Sequence, residues 1–88
     1  MNLKTKYKHI EFTEIHNPGR KTSKWEIHNH QTDEYLGRVE WDRGWRQYVS
    51  IVDDADSFSY LKFARSCHDD ISNFLGQLMD VRKNEKTN

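Results

Sequence analysis

Residues 37–52, GRVEWDRGWRQYVSIV, set two alternating runs on either side of Asp42-Arg43-Gly44, the pattern of a β-hairpin. The turn decides which side chains share a face, because residues on a strand point to opposite faces with period two. A two-residue turn at Arg43-Gly44 would pair Trp41 with Arg46 and mix core with charge. A three-residue loop, Asp42-Arg43-Gly44, pairs Trp41 with Trp45 and puts Gly44 where a positive φ is required, which glycine adopts at least cost. The second reading is the one expected here. It groups Val39, Trp41, Trp45, Val49 and Ile51 on a core face and turns Arg38, Glu40, Arg46, Tyr48 and Ser50 outward.

Two further strands precede this hairpin. Residues 7–15, YKHIEFTEI, alternate around Ile10 and Phe12, and Pro18-Gly19 suits the middle of a type II turn. In SKWEIHNH, Trp25 and Ile27 fall on one side and Lys24, Glu26 and His28 on the other; the polar QTDE then leads into YLGRVEW. After Val52 the acidic DDADS reads as a loop with Asp56 or Ser57 as N-cap. From about Tyr60 to Arg82, the residues Leu61, Ala64, Cys67, Ile71, Phe74, Leu75 and Leu78 recur at helical spacing.

The pattern predicts an α+β chain: a four-stranded antiparallel β-meander with one C-terminal α-helix packed on one face, ββββα. Residues 1–83 are expected to form a single compact domain and residues 84–88 a frayed tail. Trp25, Ile27, Val39, Trp41, Ile71, Phe74 and Leu78 are the expected core, with Trp45 partly buried beside them. Four strands span about 19 Å at about 4.8 Å each, and one helix only about 10–12 Å. One helix therefore covers one face. The other is left to solvent or to a partner.

Composition bears on whether such a chain folds at all. Apolar residues make up 34% and mean hydropathy is −1.08, values that approach those of disordered segments. Aromatics at 12% tip the balance, since each can bury about 150–250 Å². Formal net charge is zero but unevenly spread. Residues 1–25 carry Lys4, Lys6, Lys8, Arg20, Lys21 and Lys24 against Glu11 and Glu14; residues 53–81 carry six aspartates against Lys62 and Arg65. No apolar run reaches the roughly 18 residues of a membrane span, and the first residues lack the apolar middle of a signal peptide. The expected location is the cytoplasm, that of the host if the chain is phage-encoded.

Chemistry-bearing clusters are sparse. Cys67 stands alone and lies on the apolar stripe, where it reads as a small buried hydrophobe rather than a nucleophile assisted by His68. His28 and His30, with Glu26 and Glu40, have spacing that a transition metal could use. Solvated histidines at a strand end are the simpler reading, so no metal and no cofactor is expected. No phosphate-cradling loop, serine elbow or paired-carboxylate motif is present, and the chain reads as non-enzymatic.

What remains is a surface. Lys24, His28, Arg38, Arg46 and Tyr48 would share the uncovered face, and Arg and Tyr are enriched at binding hot spots. The plain alternative is a ladder in which Glu26, Arg38, Glu40 and Arg46 neutralise one another across strands. WRQY invites comparison with the plant WRKY domain, but the Cys/His zinc site of that domain is missing; the aromatic signature of RRM domains is missing too.

The run LGRVEW…WRQYVSIV, followed by a loop and the helix ISNFLGQL, resembles a family of short bacterial and bacteriophage proteins of unassigned activity. The resemblance covers roughly residues 23–79. It implies a small ββββα unit, often carried by phages or mobile elements. The expected function is protein binding, as an inhibitor or adaptor of a host or phage protein acting through the open sheet face or a sheet edge. The alternative is nucleic-acid binding through the basic N-terminal part and the Arg/Tyr face; a metal-dependent enzyme comes third. No membrane partner is expected, and the residues leave oligomeric state open, a homodimer included.

Overall fold

The computed structural model describes residues 3–16, 19, 21–52 and 65–86. Its elements run β1 (Ile10–Ile15), β2 (Lys24–Asn29), β3 (Tyr35–Asp42), β4 (Gln47–Ile51) and α1 (Arg65–Lys86). The strands form one antiparallel sheet in the order β1-β2-β3-β4. The expected ββββα meander is therefore the fold. Gly19 has φ 87°, the value that the third position of a type II turn requires. Pro18, the helix N-cap candidates Asp56 and Ser57, and Leu61 and Ala64 lie outside the described residues. Helix α1 continues past Arg82 to Lys86, beyond the end that its apolar pattern predicts.

The core lies between one face of the sheet and α1. Ile10, Phe12, Trp25, Ile27, Val39 and Tyr48 from the strands meet Cys67, Ile71, Phe74 and Leu78 from the helix in a single buried cluster. Phe74 is at its centre and is fully buried. Its ring stacks on Phe12 at 4.0 Å and meets Trp25 edge to face at 4.9 Å. Trp41 is half-buried at the margin, with the Arg82 guanidinium 4.0 Å from its ring centroid. Leu36 and Tyr7 also join the core, although neither stood out in the sequence pattern.

Tyr7 belongs to a segment that folds back along β1. The amide of Phe12 donates to the Thr5 carbonyl at 2.8 Å, and Lys6 bridges Glu11 across the turn. This segment is tied to the helix as well as to the sheet. The Tyr7 hydroxyl donates to Asn73 Oδ1 at 2.7 Å, while Gln77 Nε2 donates to the Tyr7 hydroxyl and to the Lys4 carbonyl. Burial pushes the phenol above its ordinary pKa, the Gln77 hydrogen bond opposes that shift, and the Asp70 carboxylate adds to it. The proton is thereby held on the oxygen that must donate it.

Two places in the register need explanation: a bulge between β2 and β3, and the β3–β4 hairpin, where the pairing departs from the expected one. Between β2 and β3, Ile27 pairs with Gly37 but His28 with Tyr35, leaving Leu36 as the extra residue of a bulge. That bulge sends Leu36 into the core. In the β3–β4 hairpin Trp41 pairs with Tyr48, not Trp45. The shift is three residues, an odd number, so β4 presents the opposite face.

The reason lies in the turn. Residues 43–46 form a four-residue connection in which the Asp42 carboxylate accepts from the Trp45 amide at 2.9 Å and the Asp42 carbonyl accepts from the Arg46 amide at 2.8 Å. The left-handed position is occupied by Arg46, φ 56°, and Gly44 has no positive φ. A non-glycine residue there costs about 1–2 kcal/mol. Burying the Tyr48 ring, with both polar ends of its contacts satisfied, offsets a cost of that size.

The glycine that sterics require is Gly37. A β-carbon there would lie 2.5 Å from the Ile51 carbonyl oxygen and 3.3 Å from Val52 Cα, whereas one at Gly44 would meet only the Asp42 side chain at 3.2 Å. Gly37→Ala should therefore destabilise the fold more than Gly44→Ala; equal denaturation midpoints would remove close strand approach as the reason for Gly37. Phe74→Ala should cost about 3–5 kcal/mol, read as a lower midpoint in urea. Tyr7→Phe should cost about 1 kcal/mol, because it removes the hydroxyl that donates to Asn73 and accepts from Gln77.

Candidate interaction surfaces

The uncovered face of the sheet can be assembled from the observed register. Glu11, Thr13 and Ile15 of β1 lie beside His28, Glu26 and Lys24 of β2. Arg38 follows opposite Glu26, and Val49 and Ile51 of β4 lie opposite Glu40 and Arg38. Of the five residues expected to form a binding set, Lys24, His28 and Arg38 are on this face. Arg46 is in the turn. Tyr48 is a correction: it lies on the helix side and is only 8% exposed.

The charges of this face are mutually engaged. Glu40 lies 3.6 Å from Lys24 Nζ and 3.5 Å from Arg38 Nε, and Glu26 lies 3.0 Å from His28 Nε2. The other ring nitrogen of His28 is 3.3 Å from the Asp33 carbonyl, and the ring meets Tyr35 edge to face. Each such surface pair contributes at most about 1 kcal/mol. Together they form the neutralising ladder that the alternating charges allowed, less Arg46. His30 does not pair with His28, because β2 ends at Asn29 and the His30 ring donates from Nδ1 to the Tyr7 carbonyl at 2.7 Å. Among the described residues no three His, Cys, Asp or Glu side chains converge as metal ligands.

The same register that draws Tyr48 inward pushes Trp45 outward. Trp45 is 73% exposed, one of two large hydrophobic residues so exposed among those described, the other being Val52. It projects from the hairpin tip between Arg43 and Arg46, both exposed. The backbone beneath it is held by the two Asp42 hydrogen bonds. Because the Asp42 carboxylate is spent on that turn, the tip presents an indole and two guanidinium groups. Sequence reasoning placed Trp45 partly in the core. Its exposure follows from a turn that uses Asp42 as acceptor and Arg46 as the left-handed residue, and the one available signal was the acidic residue three positions before Trp45, an Asx-type acceptor.

Tyr48 has a structural role in place of the expected exposed one. Its ring reaches over β3, edge to face with Trp41 at 5.3 Å. Its hydroxyl accepts from the Ser23 amide at 3.1 Å and lies 3.3 Å from Ser23 Oγ, which in turn accepts from Trp25 Nε1 at 2.9 Å. Cys67 is buried in the helix–sheet seam, as its place on the apolar stripe predicted. Among the described residues no helix is long and apolar enough to cross a membrane.

Trp45→Ala should leave stability within about 0.5 kcal/mol of the parent, whereas Tyr48→Ala should lower it by about 3 kcal/mol or more. The opposite ranking of urea midpoints would restore the Trp41–Trp45 pairing. No protein-family model, no curated protein and no solved structure matches the chain.

Proposed function

We propose that this chain is a non-catalytic protein-binding module, an inhibitor or adaptor, whose contact centre is the β3–β4 hairpin tip formed by Arg43, Trp45 and Arg46. The single observation that carries this reading is the 73% exposure of Trp45 on a turn fixed by Asp42. A chain with so few apolar residues gains most by burying its indoles, and Trp25 is buried while Trp45 is not. Trp and Arg are the residue types most enriched at hot spots, and a backbone ordered beforehand lowers the entropic cost of docking. The tip suits an apolar slot rimmed by carboxylates on a host or phage protein. The uncovered sheet face is the weaker candidate, because Lys24, Arg38 and His28 already have acidic neighbours. The likeness of LGRVEW…WRQYVSIV to short phage and bacterial proteins fits a small chain of this kind.

One second reading shares the same observation. An exposed indole flanked by two arginines also suits single-stranded nucleic acid, the ring stacking on a base and the guanidiniums meeting phosphates. Capture from native-host lysate, followed by mass spectrometry, separates the two. With the tip as a protein contact, Trp45→Ala and the pair Arg43→Ala, Arg46→Ala should each lose the captured protein while Lys24→Ala keeps it, and nuclease treatment should change nothing. Loss of capture on nuclease treatment, with a steep fall in binding as salt rises, would favour nucleic acid. Undiminished capture by Trp45→Ala would remove the tip from either role.

A further inference from the structure

A second feature lies on the helix side of the sheet. It is a groove of about 530 Å³ between the folded-back N-terminal segment, the start of β2, β4 and the last turns of α1. That volume falls in the ligand-sized range of about 300–1,000 Å³. Its floor consists of buried side chains, Trp25, Tyr48 and Leu78. The polar ends of the two aromatics are both engaged by Ser23, so the polar atoms of the floor already have partners within the chain. Its position is set in advance, because Trp25 is also braced edge to face by Phe74.

The rim is charged with both signs. Glu14 contributes a carboxylate; Lys21 and Arg82 contribute cations. Among the described residues none of the three makes a salt bridge, in contrast to the paired charges of the uncovered face. Arg82 is further restrained by its stacking on Trp41 at 4.0 Å, and a guanidinium stacked in this way is already ordered for recognition of a carboxylate. A simple anion in the groove would face Glu14, and a simple cation would face Lys21 and Arg82. A molecule with both charges meets all three of these groups.

We infer that this groove binds a small zwitterion bearing an apolar group, the chemistry shared by a free large amino acid and a very short apolar peptide. The apolar group rests on Trp25 and Leu78. The carboxylate is held by Arg82 and Lys21, and the ammonium by Glu14. The site is independent of the hairpin tip, since Trp45 is not part of its lining.

The test is an amide and indole NMR titration of the full-length chain with L-phenylalanine and with Phe-Phe. The comparison ligands are N-acetyl-phenylalanine amide, phenethylamine and 3-phenylpropionate, which lack both charges or one of them. Saturable shifts at the Trp25 indole and the Ser23 amide are expected for the zwitterions, with the three analogues at least about tenfold weaker, or 1.4 kcal/mol. The amino acid and the dipeptide are told apart by which saturates at lower concentration, and either result supports the assignment. Glu14→Gln should erase the advantage over 3-phenylpropionate, and Lys21→Met should narrow that over phenethylamine. Both positions are exposed on the rim, and an unchanged urea midpoint for each variant confirms that the fold is kept. Equal binding of the uncharged analogue, shifts confined to other parts of the chain, or no saturable shift overturns the inference.

Discussion

Everything in this fold hangs on the seat of one ring. Phe74 is the point where α1 meets the sheet, stacked on Phe12 and braced by Trp25. A chain so poor in aliphatic residues cannot build a deep layered core, so it depends on large flat groups that bury much area at one position. With Phe74 fixed, helical spacing brings Ile71 and Leu78 down on the same face. Asn73 and Gln77 then fall where they hold Tyr7, and through it the N-terminal segment. Packing at one residue thus extends into a hydrogen-bonded tie across the edge of β1.

A second constraint is the competition between two aromatics for one place beside Trp41. Either Trp45 or Tyr48 could pair with it, and the choice fixes the faces of β4. Trp45 has the larger apolar area, but taking that place would turn Tyr48 out and forfeit its hydrogen bonds to Ser23. The structure instead buries Tyr48 with its hydroxyl satisfied. Three consequences follow from that one choice. Ser23, Trp25 and Tyr48 lock together, the groove acquires an aromatic floor, and Trp45 is left on the tip.

Charge is used in three different ways. On the uncovered face acidic and basic groups alternate across strands and pair, which suits a solvated surface. At the hairpin tip the Asp42 carboxylate accepts a backbone amide, and among the described residues neither Arg43 nor Arg46 makes a salt bridge. Around the groove Glu14, Lys21 and Arg82 make no salt bridge among the described residues. Surface ion pairs are individually weak, so these patterns say little about stability.

Much of the architecture was legible in the residues. Period-two runs around Phe12, Trp25 and Val39, and a helical run through Ile71, Phe74 and Leu78, determine four strands, one helix and the faces that bury. These signals are local, and burial follows directly from them. Of the expected surface, the face of Lys24, His28 and Arg38 was legible for the same reason. The β3–β4 register was not, nor were the positions of Trp45, Arg46 and Tyr48 that depend on it. Local preference pointed to Gly44 as the left-handed residue, and that preference is worth only about 1–2 kcal/mol. Contacts made by Tyr48 with Ser23, 25 residues away in sequence, and with Trp41 across the hairpin outweigh it. The role of Tyr7 and the bulge at Leu36 were hidden likewise, since each depends on what the helix or the neighbouring strand offers. The sequence by itself determined which elements form and what they bury. Only the tertiary structure decided which of two registers the last hairpin takes, because the energies that separate them arise between residues brought together by folding.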